Sequence, residues 1–165
     1  MARASEKYPL DRVLKTAELA SSLAPDSTPA LFEALHDSDA AVRYWAVRGL
    51  LMRAPGGHKP PHAELLKLLD DSAPDVRIAA AETLVGFGSE TDGRRALDLL
   101  VALADWQKND VFTAMAALNA ITAVGDKAAP VAAALKSLPV NGPAPNARFR
   151  EYIPRLVEDL ATRFK

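Results

Sequence analysis

A few groups of side chains in this sequence have the types that do chemistry. His58 and His62 stand four apart, a spacing that on a helix would put two imidazoles on one face. Pro60 and Pro61 lie between them, and proline breaks that spacing. Two histidines also fall short of the three or four ligands that zinc takes. They read as loop residues, and His36 reads as a helix-end residue suited to the C-terminal dipole. Asp70-Asp71 and Glu158-Asp159 are carboxylate pairs. Neighbours on one turn do not converge on a shared substrate, so both read as structural. Gly86-Phe87-Gly88-Ser89 follows a helical pattern and lacks the Lys-Ser/Thr that ends a phosphate loop. It reads as a helix stop. There is no cysteine, which removes disulfides, thiolate metal sites and cysteine nucleophiles together. The expectation is a chain with no catalytic residue, no cofactor site and no metal site of its own.

The elements that would position any site are bounded by composition. At 165 residues the chain fits one ordinary domain. Lys+Arg is 20 against 21 Asp+Glu, for a formal net charge of -1. That balance makes no broad field for nucleic acid, and no nucleic-acid partner is expected. No apolar run approaches ~18 residues, so no membrane span is expected. Residues 1–7 lack the apolar core of a signal peptide and read as a flexible lead-in. Residues 8–165 read as a single helical-repeat domain.

Aromatic residues make up 6% of the chain, and alanine and leucine dominate, which favours helix throughout. The pattern predicts helices over about 9–23, 28–36 (Thr28 as cap, Pro29 in the first turn), a third opened by Ser38 or Asp39 and running to about 53, then 61–69, 73–87, 91–105, 110–124 and 127–138. A last helix falls within 147–164, kinked or restarted at Pro154. Ser72 is the expected cap of the 73–87 helix, with Asp75 three residues on as a partial capping box.

The informative feature is a repeat. Asp37-Ser38-Asp39-Ala40-Ala41-Val42-Arg43 aligns with Asp71-Ser72-Ala73-Pro74-Asp75-Val76-Arg77 at an offset of 34 positions. At that offset Ala46 meets Ala80, Leu50 meets Leu84, Leu31 meets Leu65 and Leu35 meets Leu69. Small Ala46 and Ala80 would let helices approach closely. Arg43 and Arg77 could reach the Asp of an adjacent turn, making an interlayer ladder with Asp37 and Asp71. A third unit is eroded: Asp110-Val111-Phe112 stands where Asp-Val-Arg would be, while Ala114, Ala117, Leu118 and Ile121 keep the apolar stripe. The fold expected is all-α, an α-solenoid of antiparallel helix pairs.

This pattern resembles the HEAT repeat, in which an Asp-rich turn joins two helices and the second begins with Val-Arg. Two stretches suggest something narrower, Tyr8–Ala20 and Asp39–Leu50, together with Glu151-Tyr152-Ile153-Pro154-Arg155-Leu156. They resemble the helical region that follows the catalytic domain in some bacterial sulfatases, the N-sulfoglucosamine sulfohydrolase or heparan N-sulfatase group. That family's Cys/Ser-x-Pro-x-Arg motif has no counterpart here: Ser72-Ala73-Pro74-Asp75-Val76 and Ser137-Leu138-Pro139-Val140-Asn141 both lack the Arg. The resemblance therefore implies a non-catalytic accessory region, packed on its own upstream catalytic domain, and periplasmic or secreted if the parent is a sulfatase. An independent protein-binding HEAT scaffold is the alternative.

For a partner contact, Tyr44 and Arg48 are the best-suited pair. They stand four apart on one helix face, and Tyr and Arg are common interface anchors. The plainer reading is a solvated face. Trp45 with Val42, Gly49 and Met52 reads as core. In the C-terminal segment Arg148, Arg150, Arg155, Arg163 and Lys165 accompany an apolar stripe from Phe149 to Phe164. This segment reads as a docked final cap, with an acidic partner or a sulfated glycan as the sharper alternative.

Overall fold

The computed structural model describes residues 8–164, and the expected lead-in at 1–7 lies outside them, as does Lys165. The described residues form nine α-helices: α1 Leu10–Ser22, α2 Thr28–Ala34, α3 Ala40–Arg53, α4 His62–Leu68, α5 Pro74–Phe87, α6 Glu90–Ala104, α7 Val111–Ala123, α8 Ala132–Lys136 and α9 Tyr152–Arg163. They make an α-solenoid. Helices pair as α2 with α3, α4 with α5, α6 with α7 and α8 with α9. The second helices stack in the order α3, α5, α7, α9, and α1 packs on α3 ahead of them.

The repeat positions build the core. Ala46, Ala80 and Ala117 are fully buried, and Leu50, Leu84 and Ile121 bury one turn later. Leu31 and Leu35 of the first pair have Leu65 and Leu69 as buried equivalents in the second. Helices α2, α4 and α8 are too short to be stable alone in water, so this apolar stacking must hold them.

The turns within the helix pairs are set by one aspartate device. Asp37, Asp71 and Asp105 recur at the 34-residue offset. Each accepts a hydrogen bond from the backbone N–H two residues on: Asp39 at 2.8 Å, Ala73 at 2.8 Å and Gln107 at 3.0 Å. Such a bond closes a tight turn and leaves the next residues free to start a helix. Asp39 then caps α3 through Ala41 and Val42 N–H, and Asp110 caps α7 through Phe112 and Thr113 N–H.

Several expected starts are corrected. Ser72 does not cap α5: the capping position is Ala73, with Pro74 at the first turn and no side-chain cap. Asp71 closes that turn instead, so no capping box with Asp75 is needed. Thr28 lies inside α2 and caps nothing; its buried Oγ1 has no partner among the described residues. The third unit also shifts register. Counted from the capping residues Asp39, Ala73 and Asp110, the fourth helical positions are Arg43, Arg77 and Ala114. Ala114, not Phe112, therefore takes the arginine's place. Three extra residues between Asp105 and Asp110 cause the shift, and they seat Trp106 in the core at 1% exposure. Its Nε1 donates to the Pro143 carbonyl at 2.8 Å, holding the 138–146 loop against it.

The expected 127–138 helix is mostly a 3-10 segment, Gly125–Val131, followed by the short α8. Pro130 lies inside the 3-10 turn, where it removes an N–H that an α-helix would need. At the C-terminus a 3-10 turn, Ala147–Glu151, precedes α9, and Pro154 falls at the third helical position, so the helix restarts rather than kinks. Ile153, Val157 and Leu160 bury one face of α9, while Arg155, Glu158 and Asp159 remain exposed.

Contact between α1 and α3 is unusually close. A Cβ on Gly49 would stand 2.9 Å from Ala20 Cβ and 2.9 Å from Leu31 Cδ1. Only hydrogen fits there. One turn on, the buried Arg53 guanidinium donates to the carbonyls of Leu19 at 2.7 Å, Ala20 at 2.9 Å and Gly49 at 2.8 Å, and to Ser27 Oγ at 2.6 Å. A cation at the carbonyl end of α1 matches its dipole.

Candidate interaction surface

The predicted ladder forms in part. Arg43 bridges both Asp71 oxygens at 2.7 Å and also donates to the carbonyls of Asp37 and Ser38. Its side chain is 13% exposed and that of Asp71 6%. Arg77 does not extend the ladder. Its Nε turns back to the Leu69 carbonyl at 3.1 Å, and Asp105 pairs with Lys108 of its own turn. A rung missed in the sequence joins Arg12 to Asp37 at 3.1 Å. The repeat alignment does not find it, because α1 has no Asp-rich turn before it.

Electrostatics follow this geometry. The hydrogen bond to Asp71 holds the Arg43 pKa above its usual value, against the opposing effect of burial. Burial pushes the Asp71 carboxyl up, but Arg43 and the Ala73 N–H outweigh it and leave the group below the usual range.

Tyr44 and Arg48 stand together on the face made by α3, α5 and α7. Tyr44 meets Trp45 edge to face at 5.8 Å between centroids. Trp45 is half-buried against the core, and Met52, expected with it, is exposed. Arg48 is not free: its Nη1 donates to Glu82 Oε2 at 2.7 Å. Burial raises the Glu82 carboxyl pKa and Arg48 partly offsets the effect. Glu82 escaped sequence reasoning, though a signal existed. It follows Arg48 by 34 positions, the repeat offset, and equivalent positions of stacked layers lie side by side.

These side chains edge a groove of about 360 Å³ that crosses all three helices. Ala79, Ala116, Ala120 and Ala123 line it beside Asp75 and Asn119. A second hollow of about 290 Å³ adjoins it, sharing Glu82 and Ala123 and reaching Leu51, Phe87 and Lys127. Small residues at these helix positions leave the trough.

The other sequence candidates disperse. His62 opens α4, with its Nε2 at 3.1 Å from Asp92 Oδ2. His36 lies 3.6 Å from Glu64, and His58 is exposed. Among the described residues no group of three His, Cys, Asp or Glu could hold a metal ion. Asp70 pairs with Arg95 at 3.4 Å while Asp71 takes Arg43, so the two carboxylates diverge. Glu158 and Asp159 are exposed on α9. Gly86 and Phe87 end α5, and Ser89 caps α6 by accepting from the Asp92 N–H and donating to its carboxylate at 2.6 Å. No described helix is long and apolar enough to cross a membrane.

The family model for HEAT repeats matches residues 62–150, just over half of the chain. No curated protein and no solved structure matches.

Proposed function

Because the chain belongs to the HEAT-repeat family, we propose that it is a non-catalytic binding scaffold whose working surface is the groove across α3, α5 and α7. The observation that carries this reading is the trough of about 360 Å³ formed by three consecutive stacked helices. It has an alanine floor, and Tyr44 and Arg48 stand at its edge. An apolar helix or extended segment laid in such a trough gains burial from the floor and orientation from the rim. HEAT domains are in general non-catalytic, and at this groove Arg48 and Glu82 are taken up by each other. The test is retention of a partner protein from the source extract on the immobilised chain. Wild type should retain a partner that the Ala116→Arg/Ala123→Arg variant loses. Equal retention by both would sink the groove as the surface.

A narrower reading is supported by the resemblance of Tyr8–Ala20 and Asp39–Leu50 to the helical region of bacterial sulfatases. In that reading the partner is the chain's own upstream catalytic domain, the parent is a sulfuric-ester or sulfamate hydrolase, and it works in the periplasm or outside the cell. Sequence resemblance is its sole support. The gene decides it: a Cys/Ser-x-Pro-x-Arg domain encoded in frame ahead of residue 1 supports the reading, and its absence ends it. The isolated chain should show no sulfatase turnover in either case.

A further inference from the structure

Three aromatic rings meet where the start of α7 faces the start of α9. Phe112 lies edge to face on Phe149, with centroids 5.1 Å apart, and Phe149 lies 6.2 Å from Tyr152. Rings in contact would normally be covered, yet Phe112 is 54% exposed and Tyr152 46%. The Arg148 guanidinium stands 4.8 Å from the Phe149 centroid. Arg150, two positions on in the same 3-10 turn, is exposed as well. Among the described residues neither Arg148 nor Arg150 has a carboxylate partner, whereas Arg155 is held by Glu151 at 2.6 Å.

We propose that this patch binds a linear acidic peptide carrying an apolar anchor residue. The anchor covers Phe112 and Tyr152, and the peptide's carboxylates meet the guanidinium groups of Arg148 and Arg150. Charge complementarity selects this occupant. Two unpaired guanidiniums offer forked donors that match carboxylates, and exposed aromatic side chains next to arginine are the usual anchors of an interface. A second copy of the chain fits worse: a two-fold contact would set the same arginines against each other. Single-stranded nucleic acid also fits worse. Phe112 meets Phe149 edge to face, Tyr152 is tilted 42° to Phe149, and Arg148 lies against Phe149, so the rings do not form a parallel row for bases to stack on. The proposal does not depend on the groove, because different side chains carry it.

The test is fluorescence anisotropy with a short labelled peptide of Asp and Glu around a central Trp-Leu pair. Its Lys counterpart and an oligothymidylate serve as the other arms. The acidic peptide should bind, and added salt should weaken it. Arg148→Glu/Arg150→Glu should lower its affinity about tenfold or more, and Phe112→Ala/Tyr152→Ala by a similar factor. Lys15→Ala, at an exposed position of α1, should leave it unchanged. These patch residues are exposed, and unchanged thermal melts verify that the variants fold. Equal binding of the Lys peptide overturns the proposal, as does affinity indifferent to both patch variants. Binding of oligothymidylate in place of the peptide overturns it in favour of nucleic acid. A dimer seen by sedimentation and abolished by Phe112→Ala/Tyr152→Ala overturns it in favour of self-association.

Discussion

The Arg43 guanidinium meets the Asp71 carboxylate in two contacts, Nε to Oδ2 and Nη2 to Oδ1, each 2.7 Å long. This one pair joins successive layers of the solenoid. The same Asp71 closes the turn ahead of α5 through Ala73 N–H, so it links a local device to a tertiary one. Breaking a pair this covered leaves an uncompensated charge. Asp71→Ala should cost about 3 kcal/mol, measured by denaturant unfolding with the slope unchanged. Arg12→Ala, at the exposed rung with 53% side-chain exposure, should cost no more than about 1 kcal/mol. Equal losses would mean that burial does not set the value of a rung.

Asp71 and Glu82 should move stability with pH in opposite directions. The Asp71 pKa is lowered in the folded chain, so the unfolded chain binds more protons between the two values. Its contribution is complete above the unfolded pKa and is lost as pH falls through the folded one. The Glu82 pKa is raised, first by burial. The folded chain then binds more protons, and stability is lost as pH rises from the unfolded to the folded value. Asp71→Asn should flatten the acid limb of a melting-temperature profile. Glu82→Gln should remove the loss above it. Profiles that superimpose on wild type would refute both assignments.

Ala46, Ala80 and Ala117 each fill a seam where two helices touch, with no exposed surface. A leucine at any of these positions has no room without displacing a neighbour. Ala46→Leu, Ala80→Leu and Ala117→Leu should each destabilise by about 1–3 kcal/mol through overpacking. Thermal melts that show no loss would place these alanines off the interface.

Glycines Gly49 and Gly86 should respond oppositely to alanine. A Cβ at Gly49 meets Ala20 and Leu31 at 2.9 Å, so Gly49→Ala should destabilise by roughly 1–3 kcal/mol despite better helix propensity. A Cβ at Gly86 meets nothing within 4 Å. Gly86→Ala, inside α5, should stabilise by about 0.5–1 kcal/mol. Differential scanning calorimetry of the two variants gives the signs directly.

Arg53 closes the carbonyl end of α1 from inside the core at 3% exposure. Arg53→Met keeps much of the volume and removes every donor, leaving the Leu19 and Ala20 carbonyls short of partners. The expected loss is about 3 kcal/mol. Arg53→Lys should recover little of it, because a single ammonium does not span the fork. Full recovery by lysine would show that charge alone suffices.

How much was legible follows from the range of each interaction. Ala46 with Ala80 and Leu50 with Leu84 were readable because helical spacing and repeat offset are both written along the chain. Asp37 and Asp71 were readable as turn residues for the same reason. Ser72 and Thr28 were misread as caps. A serine or threonine ahead of a helix has the right chemistry, but the backbone angles at Ala73 and Ser27 decide which residue occupies the capping position. The eroded third unit was misaligned because three extra residues before Asp110 preserve the stripe while moving the arginine position onto Ala114.

Of the surface, the sequence points to Tyr44 and Arg48 and does not single out Glu82. One sequence by itself determined the class of this protein: a helical period, an offset of 34 and small residues at the seams leave stacked helix pairs as the way to bury the apolar stripes. Tertiary structure decided what the polar side chains do. Arg43 takes Asp71, Arg77 turns to a carbonyl, Arg48 finds Glu82 and Arg53 enters the core. The physical reason is reach. A guanidinium on a long side chain selects among several acceptors within a few ångströms, and which of them lies closest depends on how the layers stack. The ladder was therefore legible as a possibility at Asp37, Arg43, Asp71 and Arg77, and only packing fixed which of its rungs exist.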